Sequence, residues 1–248
     1  MVEPKVIHIV KWIHGVQQSG FDPAPIRNCI SKVSEMVKTN GDVWDHGIFN
    51  WDEAVSVRET ILWERMSKRG NWLARQIRHA ICFIGCDMWW LLQTLKDGKP
   101  GFITYEVMRK LERLFADTID YFKSNPTKIK YHLVCHSFGC WVGLYYIISH
   151  PETDFCLVTI GCPLMFGSGA FDDWGDPSKI PNLKSWVNVG IRNDPISTLA
   201  ADNPNENWTK FMKTYDLSFW EQLPIRSHTS YWRRKPVQKI IASALKDS

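Results

Sequence analysis

A serine, an aspartate and a histidine that stand far apart in this chain could together attack and transfer an acyl group. The serine is Ser137, near the end of the stretch Tyr131-His-Leu-Val-Cys-His-Ser-Phe-Gly139. A short apolar run stops at Ser137, and Gly139 then opens a helical segment, Cys140-Trp-Val-Gly-Leu-Tyr-Tyr-Ile-Ile148. Strand, serine, helix is the layout of a nucleophile elbow, which lifts a hydroxyl clear of a sheet edge on a tight turn. The turn exposes the hydroxyl to substrate, and the helix N-terminus behind it offers N–H groups to developing negative charge. Gly139 fills the second small position of a G-x-S-x-G pattern, while Cys135, also small, stands at the first. The rival reading of a bare Ser-x-Gly is a serine capping the helix, and the strand ahead of Ser137 weighs against it.

Four further segments support the elbow. The first expected strand ends in Ile13-His14-Gly15-Val16-Gln17, and Leu157-Val-Thr-Ile-Gly-Cys-Pro-Leu164 reads as the strand after the elbow and its exit. Trp186-Val-Asn-Val-Gly-Ile-Arg-Asn-Asp-Pro195 reads as a strand leading to an acid, and Ser227-His-Thr-Ser-Tyr-Trp232 as a late histidine loop. Together these motifs resemble the α/β-hydrolase superfamily, in particular its lipases and esterases, in which the order is Ser, Asp, His. The resemblance runs from about residue 5 to about residue 246. It implies one α/β-hydrolase domain over 1–248, a mostly parallel sheet of five or six strands flanked by helices, and a serine hydrolase cleaving carboxylic esters through an acyl-enzyme. The same machinery serves thioesterases and amidases, and a non-catalytic binding protein of this fold is the rival class.

Within that reading Ser137 is the nucleophile, which needs a base within hydrogen-bond reach. His228 is the base, chosen from eight histidines. His136 adjoins the serine and points away from it, His14 belongs to the oxyanion loop, and His8, His79, His132 and His150 fall within expected elements. His46, after the second strand, is the other loop candidate, but His228 alone follows the acid and precedes the final helix. Asp194 is the acid that orients His228, with Asp172, Asp173 and Asp176 as competitors in a loop without a preceding strand. Backbone N–H groups of Val16 and Phe138 form the expected oxyanion hole. His14, Gly15, Gln17, Trp89 and Trp90 are the expected substrate contacts, with no metal and no cofactor implied.

The elements that must position these residues are legible as alternating strands and helices, the pattern of a parallel sheet covered on both faces. Strands are expected near 5–13, 43–49, 131–136, 154–161 and 184–191. Helices are expected near 22–38, 53–68, 71–94, 104–123, 139–149 and 235–246. Residues 52–103, rich in tryptophan, read as a helical cap over an acyl pocket or as helices packed on the sheet. Residues 164–182, with Gly and Pro and no periodicity, read as an excursion over the strand ends. The run from Ser197 to Arg226 shows no clear strand.

A length of 248 residues suits one domain with a full core. The net charge of +4 is too small to argue for a nucleic-acid partner. The apolar stretch Ala80–Leu92 is too short to span a bilayer and no signal peptide is evident, so a cytoplasmic protein is expected. Seven cysteines, an odd set mostly inside expected elements, suggest free thiols in a reducing compartment. The partner this implies is a small-molecule ester or acyl substrate, with the oligomeric state open.

Overall fold

The computed structural model describes residues 6–15, 23–38, 41–50, 102–122, 128–163, 180–192, 194, 197, 212–218, 228 and 230–248. The run Ile-His-Ile-Val-Lys-Trp-Ile forms β1 (Ile7–Ile13), which is buried along its whole length. Alternation along the strand sends Ile7, Ile9 and Ile13 into one apolar cluster and Val10 and Trp12 into another. A strand buried on both faces is what a helix-covered parallel sheet requires.

Parallel strands β2 (Val43–Phe49) and β3 (Ile129–His136) flank β1. Beyond β3 lie β4 (Phe155–Ile160), β5 (Leu183–Ile191) and β6 (Met212–Leu217). The result is an α/β fold with a six-stranded, all-parallel sheet of order β2-β1-β3-β4-β5-β6. The described helices are α1 (Ala24–Val37), α2 (Phe102–Phe122), α3 (Gly139–Ser149) and α4 (Lys235–Lys246). A short 3-10 turn, Tyr231–Arg233, precedes α4.

The helices divide between the two faces. Ile26, Cys29 and Val33 of α1 share a cluster with Val237, Ile241 and Leu245 of α4, over Val10 and Trp12. On the other face, Phe115 of α2 stacks on Tyr146 of α3 with ring centroids 5.2 Å apart. Handedness explains the division. The chain leaves β1 for β2 in one direction and β3 for β4 in the other, so right-handed crossovers put α1 and α3 on opposite faces. Among the described residues one lysine is buried: the Lys11 ammonium donates to Asp45 Oδ2 (3.0 Å) of β2 and to Thr118 Oγ1 (2.7 Å) of α2. Pairing with both keeps the charge tolerable.

The five expected strands and four of the six expected helices occur within two residues of their expected bounds. The other two helices, at 53–68 and 71–94, lie outside the described residues, as does the cap segment 52–103 apart from the start of α2. The strand β6 corrects the reading of 197–226 as strandless. Its sequence, Met-Lys-Thr-Tyr-Asp-Leu, buries only Met212 fully, because it pairs on one side with β5 and is otherwise half exposed. A polar edge strand carries no apolar run to read, and its polarity discourages pairing with other chains. No helix among the described residues is long and apolar enough to cross a membrane.

Candidate active site

Strands β1 and β3 are neighbours in the sheet although β2 lies between them in sequence, and the chain winds outward from them on both sides. Open α/β sheets bind ligands outside the carboxyl ends of the strands at such a switch point. His14 and Gly15 follow β1, and Ser137 follows β3, so the two segments flank that crevice.

Ser137 has φ 54°, the one left-handed value on a non-glycine residue among the described residues. For an L-residue that conformation costs about 1–2 kcal/mol, and it persists only where the surroundings enforce it. Here the Ser137 N–H donates to the Ile160 carbonyl at the end of β4 (2.9 Å). The Ser137 carbonyl accepts the Cys140 N–H at the start of α3 (3.0 Å). Strand and helix are thereby pinned on either side of the serine. The missing first glycine of the elbow is also accounted for. Cys135 keeps its side chain because the facing position on α3 is Gly143, where a Cβ would lie 2.5 Å from Cys135 Sγ. The close approach has been moved from strand to helix.

His228 joins the serine to the aspartate. Its Nε2 lies 2.8 Å from Ser137 Oγ and its Nδ1 lies 2.8 Å from Asp194 Oδ2. With Nδ1–H donated to the carboxylate, Nε2 presents a lone pair to the hydroxyl proton. The Asp194 carboxylate is fully buried, and its backbone N–H closes a turn onto the Ile191 carbonyl (2.8 Å) at the end of β5. Ser137, Asp194 and His228 are thus within hydrogen-bond reach in series. The competitors Asp172, Asp173 and Asp176 lie outside the described residues.

Two neighbours of this series were not assigned a part in it from sequence. Tyr231 is buried and donates its phenolic O–H to Asp194 Oδ2 (2.8 Å), while its oxygen accepts the Ile191 N–H (2.9 Å). His136 donates Nε2–H to the His228 carbonyl (2.9 Å), and the two rings are 4.9 Å apart. Burial, and then the neighbouring His228, push the His136 pKa down to about 3, so His136 stays neutral. A tyrosine three residues past the histidine, in the loop already singled out, was the one available signal for the first. For the second, direct adjacency to Ser137 was the signal, and it points the ring off the serine and onto the histidine loop.

Gly15 lies against the serine, where a Cβ would stand 2.4 Å from Ser137 Cβ and 2.9 Å from Oγ. His14 is buried, its Nδ1 against the Gly15 carbonyl and its Nε2 3.1 Å from Asn50 Oδ1 at the end of β2. Burial lowers its pKa, and those two contacts partly oppose the shift. Phe138 is the N-cap residue of α3, so its N–H belongs to the group of donors a helix leaves unsatisfied at its start. Val16, Gln17, Trp89 and Trp90 lie outside the described residues. His46, the alternative base, sits inside β2, where its Nδ1 accepts the Trp12 Nε1–H (3.1 Å). Among the described residues, no three His, Cys, Asp or Glu side chains converge as metal ligands would.

No protein-family model matches the chain, and no curated protein matches it in sequence. Among solved structures, Est1E from Butyrivibrio proteoclasticus is similar at a TM-score of 0.48 and 11% identity, over 99% of this chain and 88% of that chain.

Proposed function

We propose that the chain is a serine hydrolase of the α/β-hydrolase type that cleaves carboxylic esters through an acyl-enzyme. The observation that carries this reading is the series Ser137 Oγ, His228, Asp194 Oδ2, closed by two contacts of 2.8 Å around a serine in a left-handed turn. A helix cap would explain neither the imidazole on the hydroxyl nor the buried carboxylate behind the imidazole.

In the proposed cycle Ser137 Oγ attacks the ester carbonyl as its proton passes to His228 Nε2. Asp194 holds the imidazole in the required tautomer and offsets the imidazolium charge. The tetrahedral oxyanion takes N–H donors from Phe138 and, in this reading, Val16, each such donor contributing about 2.7–4 kcal/mol to transition-state stabilisation. Collapse expels the alkoxide, which leaves with the proton from His228. Water, deprotonated by the same base, then releases the carboxylic acid and frees Ser137. Thioesters and amides would pass through the same steps and differ in the leaving group.

Covalent labelling with a fluorophosphonate tests the proposal, because that probe requires an activated serine and not merely a pocket. The adduct should map to Ser137 and vanish in Ser137→Ala, which should fold normally and lose turnover of p-nitrophenyl esters. Folded Ser137→Ala protein with near-wild-type turnover, or a wild type that neither labels nor hydrolyses any ester from acetyl to octanoyl, would overturn it.

A further inference from the structure

We propose, building on the triad reading above, that Tyr231 is a positioning residue for the acid. Its phenol fixes which Asp194 oxygen faces His228 and how much charge that oxygen presents. The same atom, Asp194 Oδ2, takes both the Tyr231 O–H and His228 Nδ1, each at 2.8 Å. Tyr231 cannot swing away, since its oxygen also accepts the Ile191 N–H and its ring is fully enclosed.

The fold makes room for this arrangement at the end of β4. Gly161 has φ +55°, and a Cβ there would stand 2.8 Å from Tyr231 Cε2 and 3.1 Å from Asp194 Oδ2. Only glycine combines that backbone with that closeness. Burial, and then the charge of Asp194, raise the Tyr231 pKa well above its ordinary value, so the phenol keeps the proton it donates.

A buried carboxylate depends on its donors, and two donors on one oxygen divide its charge between them. Removing the phenolic proton would concentrate charge on the oxygen that faces His228. The imidazolium would gain, and the base would hold its proton to higher pH. Among the described residues, four groups face His228: Asp194 from the exit of β5, Ser137 and His136 from the elbow, and Tyr231 from its own segment. Of these, Asp194 is the one carboxylate, so its donors govern the charge that the His228 ring meets.

The test is Tyr231→Phe, which removes the hydroxyl and keeps the ring, together with 3-fluorotyrosine incorporated at position 231, which donates more strongly. Histidine-labelled NMR reads the His228 titration directly, and an activated ester gives kcat and KM. In Tyr231→Phe the titration should move up by roughly half a pH unit or more. At neutral pH kcat should fall by up to about threefold for a half-unit shift, with KM unchanged. The fluorotyrosine protein should titrate lower than wild type. A purely structural Tyr231 would lower the melting temperature of Tyr231→Phe and leave the titration where it was. Coincident His228 titrations in all three proteins overturn the inference, whatever happens to kcat. The NMR readout needs no turnover, so a chain that shows the shifts but never labels would sink the hydrolase reading and leave the role of Tyr231 standing.

Discussion

Replacing Gly143 with alanine should push α3 off β3 beneath Ser137, the proposed nucleophile, and shortening Cys135 should reverse the damage. The new Cβ would lie 2.5 Å from Cys135 Sγ but 3.8 Å from Cys135 Cβ. An ordinary carbon contact is about 3.5–4.0 Å, so the sulfur alone stands about an ångström too close. Cys135 is fully buried, so its thiol has no open space to enter, and overpacking of this kind costs about 1–3 kcal/mol. Against that, alanine is favoured over glycine in a helix by about 0.8–1.0 kcal/mol. Gly143→Ala should therefore lose up to about 2 kcal/mol net. In Cys135→Ala/Gly143→Ala the overlap is gone and the helix preference remains. Urea denaturation of wild type, both single variants and the double variant gives the coupling directly, expected at about 1–3 kcal/mol in favour of the double. The rate of fluorophosphonate labelling should fall in Gly143→Ala and recover in the double. Additive single effects, within about 0.5 kcal/mol, would refute the idea that Gly143 replaces the elbow's missing glycine.

Gly15→Ala should cost about 1–3 kcal/mol of stability, as overpacking at a buried site does, and in the folded protein cut kcat/KM on an activated ester by about a hundredfold, since relieving the contact with Ser137 needs a shift of about 1 Å. Near-normal kinetics would show that Gly15 does not set the serine's position. Asp194→Asn should fold and lose kcat by up to about 10⁴, as in another triad, and combining it with His228→Ala should cost little more than His228→Ala alone. The pH dependence of stability follows from buried histidines. Burial lowers His8 and His46 to about 4 and His132 and His136 to about 3, from 6.5. His8 Nδ1 also lies 3.0 Å from His132 Nε2, an arrangement that two imidazoliums would break. The unfolded chain takes up these protons first, so stability should be full above about pH 6.5 and fall as pH drops towards 4 and below. Thermal melts across that range check the sign. A melting temperature that is flat or rises on acidification would mean these histidines are not held neutral.

The sheet was readable because β1, β3, β4 and β5 carry apolar runs with clear stops and alternate with helical segments. Ser137 and Asp194 could be picked out because each follows a readable strand, and His228 because it precedes a readable helix. Lys11 shows where reading stopped. A lysine within a strand suggests exposure, and its burial makes sense only once Asp45 and Thr118 arrive from distant parts of the chain. Cys135 looked like a departure from the elbow pattern because its compensation, Gly143, lies on a different element. The strand β6 escaped because Met-Lys-Thr-Tyr-Asp-Leu holds no apolar cluster, whereas β2 at the other edge carries Val43, Trp44, Ile48 and Phe49. Tyr231 escaped because its value lies in a carboxylate that only the finished sheet brings within reach.

The packing of α4 on α1 also has a kinetic meaning. His228 stands 91 residues from Ser137 and is delivered just ahead of the 3-10 turn and α4, whose anchor is α1, an early element of the chain. Contacts of such sequence separation are the slow ones in folding, and elements of unequal stability can open as separate units. A nascent chain with β1 to β5 already paired would hold a bent serine with no base against it. The same asymmetry would operate in reverse under heat or protease. Release of α4 would silence the chemistry while the sheet still stood, so inactivation should run ahead of the loss of secondary structure.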